Sequence, residues 1–569
     1  MPANLRSSSA ASAAATLLGL LASTGCQDAA KPAPTEDVLA QVTISYLCGN
    51  SFELRNHGSS HTTVHYAVLG TSEDGELTLP GSSSDSPSTT QLTTLERGTL
   101  QISAGEEQVQ PAANGGAACP PPVSPQPQAS SGEWTAPFPW PVVAAHLHLL
   151  PNGRVLSWGR IGVPQVYDPA YGSFSDVPTA TMVFCSGHTF LSDGRLLVTG
   201  GHLDDQRGLP DANIFDAAAQ TWAAIPSMRF ARWYPTSTTL VNGEILTLAG
   251  TDEHAQEVVI PEVWTGSSWR SLSGARRALP YYPRAFVAPN GLVFYAGELQ
   301  QSAYLDPTGE GRWIPVAPSN YGRRDYGSAV MYAPGKVLIL GGSDPPDGQP
   351  TATAEVIDLS DPQPLWRYTE PMTHARRHFN ATLLPDGEVL VTGGTSSAGF
   401  SDPSGAVHAA EVWNPTTQRW RVLAANRINR VYHSSTLLLP DGRVLHAGSG
   451  DGPGLPRELN AEIYSPPYLF LGPRPVLEDA PRQVGYGQPF FVATRDAGRV
   501  TRVTVVRLPS VTHAFDQSQR FVELSFRRVA GGLTVVAPPS GAVAPPGPYL
   551  LGILNDIGIP STARIMQIN

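Results

Sequence analysis

Apolar and polar residues alternate along most of this chain in short runs. Such runs occur between Val42 and Gln110, and again from about Trp134 to the C-terminus. Alternation places successive side chains on opposite faces of a sheet, so each run predicts a strand with one buried face. Turns rich in glycine and proline separate the runs, and the chain contains 55 glycines and 54 prolines. The pattern therefore predicts an all-β protein.

A hairpin motif recurs from about Trp134 onward. A turn glycine, two or three aliphatic residues and a small-residue ending define it, and seven copies occur at spacings of 41 to 55 residues. Most copies are followed by a further strand such as Glu411-Val412-Trp413, often with a tryptophan a few residues later. This pattern resembles the kelch repeat and predicts a seven-bladed β-propeller over residues 134–468, with a solenoid or a pair of sandwiches as the alternative. The seven turn glycines are Gly153, Gly194, Gly243, Gly291, Gly335, Gly387 and Gly442.

The segments on either side of the repeats have different patterns. Residues 40–120 alternate as expected for a small N-terminal β-sandwich module, and residues 121–133 form a linker rich in proline, glutamine and serine. Residues 474–569 contain new strand runs between Pro/Gly turns. They predict a C-terminal immunoglobulin-like β-sandwich.

Residues 1–26 predict an export signal. Arg6 precedes an apolar run that is too short to span a membrane permanently. Ser23-Thr24-Gly25-Cys26 resembles a bacterial lipoprotein cleavage box, so an ordinary signal peptide and lipidation of Cys26 are both open. We therefore expect an extracytoplasmic protein, secreted or lipid-anchored at the cell envelope, that contacts a membrane only through Cys26.

The net charge bears on the possible binding partners, and the cysteines bear on disulfide formation. With 48 acidic and 37 basic residues, the net charge of −11 speaks against a nucleic-acid partner, which requires a basic face. In an oxidising compartment Cys48 and Cys119 predict a disulfide that stabilises the fold by about 4 kcal/mol. Cys185 then has no partner, and is either a small buried apolar side chain or a reactive group. We expect the protein to be a monomer.

Residues at the same position of each repeat form a ring around the axis of a propeller. Phenols, imidazoles and a thiol dominate one such position, and these are metal-binding groups. The alternative is an aromatic plug of the central channel, although such groups plug a channel poorly unless they are hydrogen-bonded. Tyr432 lies one residue outside this register, so Tyr432 and His433 can reach one site only if their strand begins after both or is twisted at its entry. The seven ring residues, each nine positions before its turn glycine, are Ala144, Cys185, Tyr234, Tyr282, Tyr326, His378 and His433.

Four motifs, in order within residues 134–569, resemble the copper-radical oxidases, the galactose oxidase and glyoxal oxidase group. The second and fourth are most similar to the glyoxal oxidase branch and its bacterial relatives. The segment from residue 40 to 120 lies outside the resemblance. The motifs are Phe184-Cys185-Ser186-Gly187, Ala231-Arg232-Trp233-Tyr234, Arg430-Val431-Tyr432-His433 and Thr512 to Arg520.

The resemblance implies a role for five residues. Cys185 and Tyr234 match the pair that a thioether joins and that carries a stable radical. Tyr234, Tyr432, His433 and His513 match the four protein ligands of a mononuclear copper, a donor set that suits Cu(II). Tyr432 also matches the tyrosinate that accepts the hydroxyl proton of the substrate. The implied reaction is oxidation of an aldehyde or a primary alcohol by dioxygen, with hydrogen peroxide as the second product.

A sugar specificity cannot be transferred from galactose oxidase. In that enzyme a tryptophan stacks on the thioether from the stretch that follows a glycine pair, whereas residues 250–254 contain no aromatic residue here. We therefore expect the radical to be less shielded from solvent. Tyr282, Arg284, Tyr326 and His378 are candidates for the wall of the substrate pocket, with ordinary packing within the blades as the alternative. Arg284 suits a carboxylate or several hydroxyls.

Two alternative interpretations of the propeller involve no catalysis. An exported kelch propeller could bind a glycan or a protein through its loops, and a propeller could hold a metal for structural purposes alone. Since all five residues of the implied site are present, the sequence favours the enzyme.

Overall fold

A computed structural model describes residues 41–48, 50–82, 87–94, 96–104, 107–109, 111–115, 127–452 and 455–569. The predicted export signal with Cys26 lies outside this range, as do Cys119 and the side chain of Cys48, so the predicted disulfide also lies outside the described residues. No helix in the described part of the chain is long and apolar enough to cross a membrane. The chain divides into two compact units, residues 1–124 and 125–569.

The first unit contains two antiparallel sheets in its described residues. Apolar side chains from both sheets, among them Phe52, Leu54, Val64 and Leu100, form one buried core. One sheet contains Val42–Cys48, Ser51–Asn56 and Ser88–Thr93, and the other contains Asp74–Leu79, Thr62–Leu69, Thr99–Ala104 and Glu107–Gln108.

The second unit consists almost entirely of strands, which confirms the predicted all-β class. Seven successive sheets occupy its larger part in the described residues, the same number as the repeats counted in the sequence. The first three sheets contain His146–Leu149, Val155–Trp158, Gln165–Asp168 and Ser173–Asp176; Gly187–Phe190, Leu196–Thr199, Ala212–Asp216 and Thr221–Ile225; and Thr236–Thr239, Ile245–Leu248, Glu262–Trp264 and Trp269–Ser271. The next three contain Ala285–Val287, Val293–Tyr295, Gln301–Asp306 and Arg312–Pro318; Ser328–Ala333, Lys336–Leu340, Ala354–Asp358 and Arg367–Thr369; and Arg377–Leu383, Val389–Thr395, Ala409–Asn414 and Arg419–Ala425.

The seventh sheet joins the two ends of the series. It contains Ser435–Leu438, Val444–Ala447 and Asn460–Ser465, and Glu133–Trp134 from the start of the unit pairs with Asn460–Ser465 as its outer strand. Phe138–Pro139 also pairs with Asn460–Ser465. Residues that precede the first sheet thus complete the last one.

The turn chemistry explains why each repeat forms a hairpin. In the seventh sheet the turn Pro440-Asp441-Gly442 joins the first two strands, and Gly442 has a φ of 82°, a conformation that favours glycine. The Asp441 carboxylate accepts a hydrogen bond from the backbone N–H of Arg443 at 3.0 Å. The apolar residues that follow the turn, such as Val444 and Leu445, are fully buried.

The C-terminal part of this unit forms two further sheets. A buried core that includes Val503, Val505, Leu533 and Ile553 lies between their strands. One sheet contains Gln483–Val484, Arg564–Ile568, Gly547–Asn555, Val500–Arg507 and Phe521–Leu524, and the other contains Pro489–Ala493, Gly532–Val536 and Phe526–Val529. Short elements complete the described residues: the hairpin His202–Asp204 with Arg207–Gly208, the α-helix Pro127–Ser131, and the 3₁₀ helices Pro403–Gly405, Pro467–Phe470 and Ala497–Arg499.

One segment of the C-terminal part belongs to the first of the seven sheets. Ser510–Thr512 pairs with His146–Leu149 and is itself paired with Phe515–Asp516. His513 lies at the turn between these two short strands, with a φ of 45°. Sheet hydrogen bonds on both sides thus fix the position of His513.

Candidate metal centre

Six of the seven ring residues share an unusual backbone conformation. Their φ angles are positive, between 47° and 64°, whereas non-glycine residues rarely adopt this region, which costs about 1–2 kcal/mol per residue. Hydrogen bonds along the backbone link neighbouring members: Tyr234 N donates to Cys185 O at 2.9 Å, and Tyr282 N donates to Tyr234 O at 2.9 Å. Strained residues that neighbouring structure holds in place are typical of functional sites. The six residues are Cys185, Tyr234, Tyr282, Tyr326, His378 and His433.

Three potential metal-binding atoms surround a fourth, the phenol oxygen of Tyr234. This oxygen lies 2.6 Å from Tyr432 Oη, 2.8 Å from His513 Nε2 and 3.5 Å from His433 Nε2. Donors that bind one ion at about 2 Å lie about 3–4 Å apart, so only small shifts would be needed to surround an ion. Among the described residues no group of three or more His, Cys, Asp or Glu side chains could hold a metal ion. This centre therefore depends on its two phenols.

The two imidazoles are oriented by hydrogen bonds at their other nitrogens. His433 Nδ1 lies 2.6 Å from the carbonyl oxygen of Gly450, which can only accept a hydrogen bond, so Nδ1 carries the proton and Nε2 keeps its lone pair. His513 Nδ1 lies 2.6 Å from Thr512 Oγ1, whose hydroxyl donates to the Ala145 carbonyl oxygen at 2.9 Å. Both Nε2 atoms are thus free to bind a metal, and such outer hydrogen bonds typically hold metal-binding histidines in place.

Burial sets the charge state of these groups. It lowers the pKa of His433 to about 3 and lowers the pKa of His513 well below its usual value, so both imidazoles are neutral and able to act as ligands. Burial also raises the pKa values of the Tyr234 and Tyr432 phenols well above 10. A bound dication compensates this cost because it stabilises phenolate, and a donor set of two phenols and two imidazoles suits Cu(II).

The strand of the seventh sheet begins only at Ser435, after both Tyr432 and His433. Alternation along a regular strand therefore does not separate the two residues. The positive φ of His433 instead brings its imidazole against the Tyr432 ring, with centroids 3.7 Å apart and an interplanar angle of 27°. Both side chains consequently reach Tyr234.

Cys185 lies beside Tyr234 in one buried cluster. Its side chain is fully buried, burial raises the pKa of its thiol, and a hydrogen bond to Tyr234 partly offsets this effect. The backbone N–H of Cys185 donates to His146 Nε2 at 3.1 Å. The arrangement places a thiol next to a phenol ring, as the formation of a thioether between them requires.

The expectation of a poorly shielded tyrosine is wrong. The Trp233 indole lies flat on the Tyr234 ring, with centroids 3.6 Å apart and an interplanar angle of 3°. The stacked aromatic ring comes from the residue directly before Tyr234, and residues 250–254 do not supply it. The left-handed backbone of Tyr234 allows the two adjacent side chains to stack, a feature that the composition of residues 250–254 could not reveal. Tyr234 is only 2% exposed as a result.

A cavity of about 210 Å³ adjoins the donor cluster. His513 lines it, together with three of the four predicted pocket residues, Tyr282, Arg284 and Tyr326. His378 does not line the cavity, because its ring packs against Tyr326 and Tyr432 and its Nε2 contacts the carbonyl oxygen of Phe400. The other lining residues are Gly250, Glu257, Leu279, Pro280, Tyr281, Glu298, Arg323 and Asp325.

Buried ion pairs hold the segments that carry four of the ring residues. In four repeats an arginine lies two or three residues before the ring residue and pairs with a glutamate on the third strand of the sheet. The glutamate also accepts hydrogen bonds from backbone N–H groups of the same loop, as Glu411 does from Thr373 and His374. The sequence pattern shows the glutamates, but their partners lie about 30 residues away. The pairs are Arg232–Glu262 (3.0 Å), Arg324–Glu355 (2.8 Å), Arg376–Glu411 (2.6 Å) and Arg430–Glu462 (3.1 Å).

Comparison with known proteins places this site in a family. The family model described as "Glyoxal oxidase N-terminus" matches residues 163–468, and the model described as "Galactose oxidase-like, Early set domain" matches residues 474–568. Galactose oxidase of Gibberella zeae is 29% identical over 497 residues, which cover 78% of this chain and 71% of that protein. Aldehyde oxidase GLOX of Vitis pseudoreticulata is 29% identical over 470 residues, which cover 74% of this chain and 89% of that protein.

A solved structure has a similar fold. It is described as a novel fungal alcohol oxidase with catalytic diversity among the AA5 family, in complex with copper. The match has a TM-score of 0.71 at 23% sequence identity, and covers 77% of this chain and all of that one. The glyoxal oxidase model alone covers more than half of this chain. The chain therefore belongs to the copper-radical oxidase family, the group of galactose oxidase and glyoxal oxidase.

Proposed function

We propose that this chain oxidises a small aldehyde or primary alcohol with dioxygen at a copper held by Tyr234, Tyr432, His433 and His513. The observation that carries the proposal is the convergence of three donor atoms within 3.5 Å of Tyr234 Oη. When bound, copper supplies a Lewis acid that acidifies a substrate hydroxyl and a redox partner for the tyrosine.

Each residue of the centre has its own role in the reaction. Tyr432 accepts the hydroxyl proton of the substrate, and the oxidised Tyr234 takes the hydrogen atom from the adjacent carbon. The substrate gives up two electrons and two protons in total, and dioxygen takes them up to become hydrogen peroxide. The thioether between Cys185 and Tyr234 delocalises the unpaired electron, and the Trp233 indole covers the ring. Burial of these side chains excludes water from the radical.

The size and lining of the cavity favour a small substrate that carries a negative charge or several hydroxyls. Its volume of about 210 Å³ lies below the range of drug-sized pockets. The Arg284 guanidinium is 4% exposed and donates to the carbonyl oxygens of Tyr282 and Gly327, both at 2.6 Å. No carboxylate among the described residues forms an ion pair with it, whereas Arg323 on the same wall pairs with Glu298. Arg284 is therefore available to a substrate carboxylate.

We also infer that the protein is exported and acts as a monomer. The export signal predicted at residues 1–26 supports this location, with attachment through Cys26 as its lipid-anchored form. The predicted Cys48–Cys119 disulfide is consistent with an oxidising compartment. The acidic net charge of −11 speaks against a nucleic-acid partner.

The proposal is tested by loading purified protein with copper under oxygen. We expect a tyrosyl-radical absorption band, peroxide release with simple aldehydes or primary alcohols, and an intact mass lower by about two hydrogens as the thioether forms. Cys185→Ser, which keeps a small polar side chain, should abolish the mass change and the long-lived band. Copper-loaded protein that has formed the thioether but shows neither a band nor peroxide would contradict the proposal and favour a binding role.

Arg284→Met is expected to act selectively on anionic substrates. A hydrogen bond to a charged group contributes about 1.5–3 kcal/mol, so kcat/KM for glyoxylate should fall by about 10–100-fold. The value for an uncharged aldehyde of similar size, such as glycolaldehyde, should change much less, and Arg284→Lys should recover part of the loss. Peroxide release measures all three. An equal loss on both substrates would show that Arg284 only supports the loop.

A further inference from the structure

A buried histidine outside the donor cluster contacts both the thiol and the stacked indole. His202 Nδ1 lies 3.1 Å from Trp233 Nε1 and 3.6 Å from Cys185 Sγ. The side chain is 8% exposed. It is not one of the four metal-binding residues, and it joins the thiol and the indole that flank the Tyr234 ring.

The direction of the hydrogen bond follows from its chemistry. An indole N–H can only donate, so Nδ1 of His202 accepts and the imidazole proton is on Nε2. That nitrogen faces the Asp205 carboxylate at 3.9 Å, and Asp205 is paired with Arg160 at 3.1 Å. The tautomer that the indole requires is thus also the one that the carboxylate favours.

The backbone around His202 holds the imidazole in place. His202 begins the short hairpin formed with Arg207–Gly208. The N–H of Gly201 donates to the Arg232 carbonyl oxygen at 3.1 Å, and the N–H of His202 donates to the Met182 carbonyl oxygen at 3.0 Å. The hairpin is therefore tied to the loop that leads into Trp233 and to the loop that leads into Cys185.

The other repeats show that this histidine is not a packing requirement of the fold. The residue eight positions after the turn glycine varies from repeat to repeat, and only the repeat beside Cys185 carries an imidazole there. The seven residues at this position are Ile161, His202, Thr251, Leu299, Ser343, Thr395 and Gly450.

We propose that His202 is a positioning residue that holds the Trp233 indole flat against the Tyr234 ring. The inference rests on the proposed function, because the stacked indole matters only if Tyr234 carries a radical. Before the thioether forms, the thiol and the indole are two donors at one acceptor nitrogen. Formation of the C–S bond removes the thiol hydrogen and one ring hydrogen, and dioxygen accepts these two protons and two electrons to give hydrogen peroxide. Trp233 then remains as the single donor to Nδ1.

A test in copper-free protein does not depend on the radical. The indole N–H signal of Trp233 in ¹H–¹⁵N spectra is identified by its loss in Trp233→Phe. His202→Leu should speed the exchange of this proton with solvent by about fivefold or more, because the population of the bonded indole falls when a hydrogen bond is lost. His202→Asn, whose amide oxygen can take the place of Nδ1, should restore slow exchange.

A second test uses the oxidised, copper-loaded enzyme. The radical absorption band should decay faster in His202→Leu, by a similar factor, and less so in His202→Asn. In a Trp233→Phe background, which keeps a stacked ring but lacks the N–H, His202→Leu should have no further effect. Unchanged indole exchange, or additive effects on radical decay, would overturn the proposal. Wild-type protein without a radical band would instead contradict the proposed function, and the exchange experiment would still decide the role of His202.

Discussion

Tyr432→Phe is expected to lower kcat/KM by about 10²–10⁴-fold, the range for the loss of a general acid or base. The variant lacks only the phenol oxygen that lies 2.6 Å from Tyr234 Oη. Its ring can keep its packing on His433 and Phe400, whose centroids lie 3.7 Å and 4.7 Å from that of Tyr432. We therefore expect a folded enzyme that has lost the acceptor of the substrate proton.

The measurement compares peroxide release with two properties that should persist. Three donors, Tyr234, His433 and His513, still surround the metal position, so copper should bind, although more weakly. The mass change that reports the thioether should also occur, because Cys185 and Tyr234 are unaltered. Tyr332→Phe is a matched control, since Tyr332 is a buried tyrosine that packs against Trp413 and does not line the cavity. A Tyr432→Phe enzyme with near-normal turnover would assign proton acceptance to another group.

Periodicity was sufficient to find most of the candidate site. The turn glycine fixes the start of each hairpin, and a constant number of residues separates it from the ring, so counting along the chain located Cys185, Tyr234 and His433. The structure brings these residues together at adjoining loops. Strand alternation and turn residues are local properties of the sequence, so they also predict an all-β chain.

Trp233 and His202 could not be found in this way. Trp233 reaches the Tyr234 ring because Tyr234 has a φ of 64°, and no composition or spacing rule predicts this conformation for a tyrosine. His202 lies eight residues after its turn glycine, at a position where no other repeat has an imidazole, so periodicity alone does not single it out. Features that depend on a positive φ or on the side-chain contacts of a single repeat require coordinates.

The buried ion pairs could be predicted only in part, because the sequence pattern shows the glutamates but not the arginines that pair with them. The glutamates recur in the third strand of several repeats, but each partner arginine lies in a preceding loop. Arg430, for example, donates to Gly448 O at 2.9 Å and to Asn460 O at 3.0 Å as well as to Glu462. Arg430 thus ties the loop that carries Tyr432 and His433 to the third strand of its sheet, Asn460–Ser465, and to Gly448 directly after the second strand. The position of the metal-binding atoms thus depends on interactions about 30 residues away.

Arg376→Met and Arg430→Met are each expected to lower the free energy of unfolding by about 3–5 kcal/mol, because each leaves a buried glutamate without its partner. Both arginines are at most 1% exposed. Urea unfolding of copper-free protein measures this loss, and adding Glu462→Leu to Arg430→Met should recover part of it.

The two variants should differ in copper affinity. The loop that follows Arg430 carries Tyr432 and His433, whereas the strand that follows Arg376, Arg377–Leu383, carries His378, which is not among the four donors. Loss of an outer support typically weakens metal binding by about 10–100-fold, so a chelator competition should show this loss in Arg430→Met alone. Equal weakening in both variants would mean that the ring residues respond as one unit, through backbone bonds such as that from His378 N to Tyr326 O at 3.0 Å. The comparison therefore separates the stability of the fold from the placement of the metal-binding atoms.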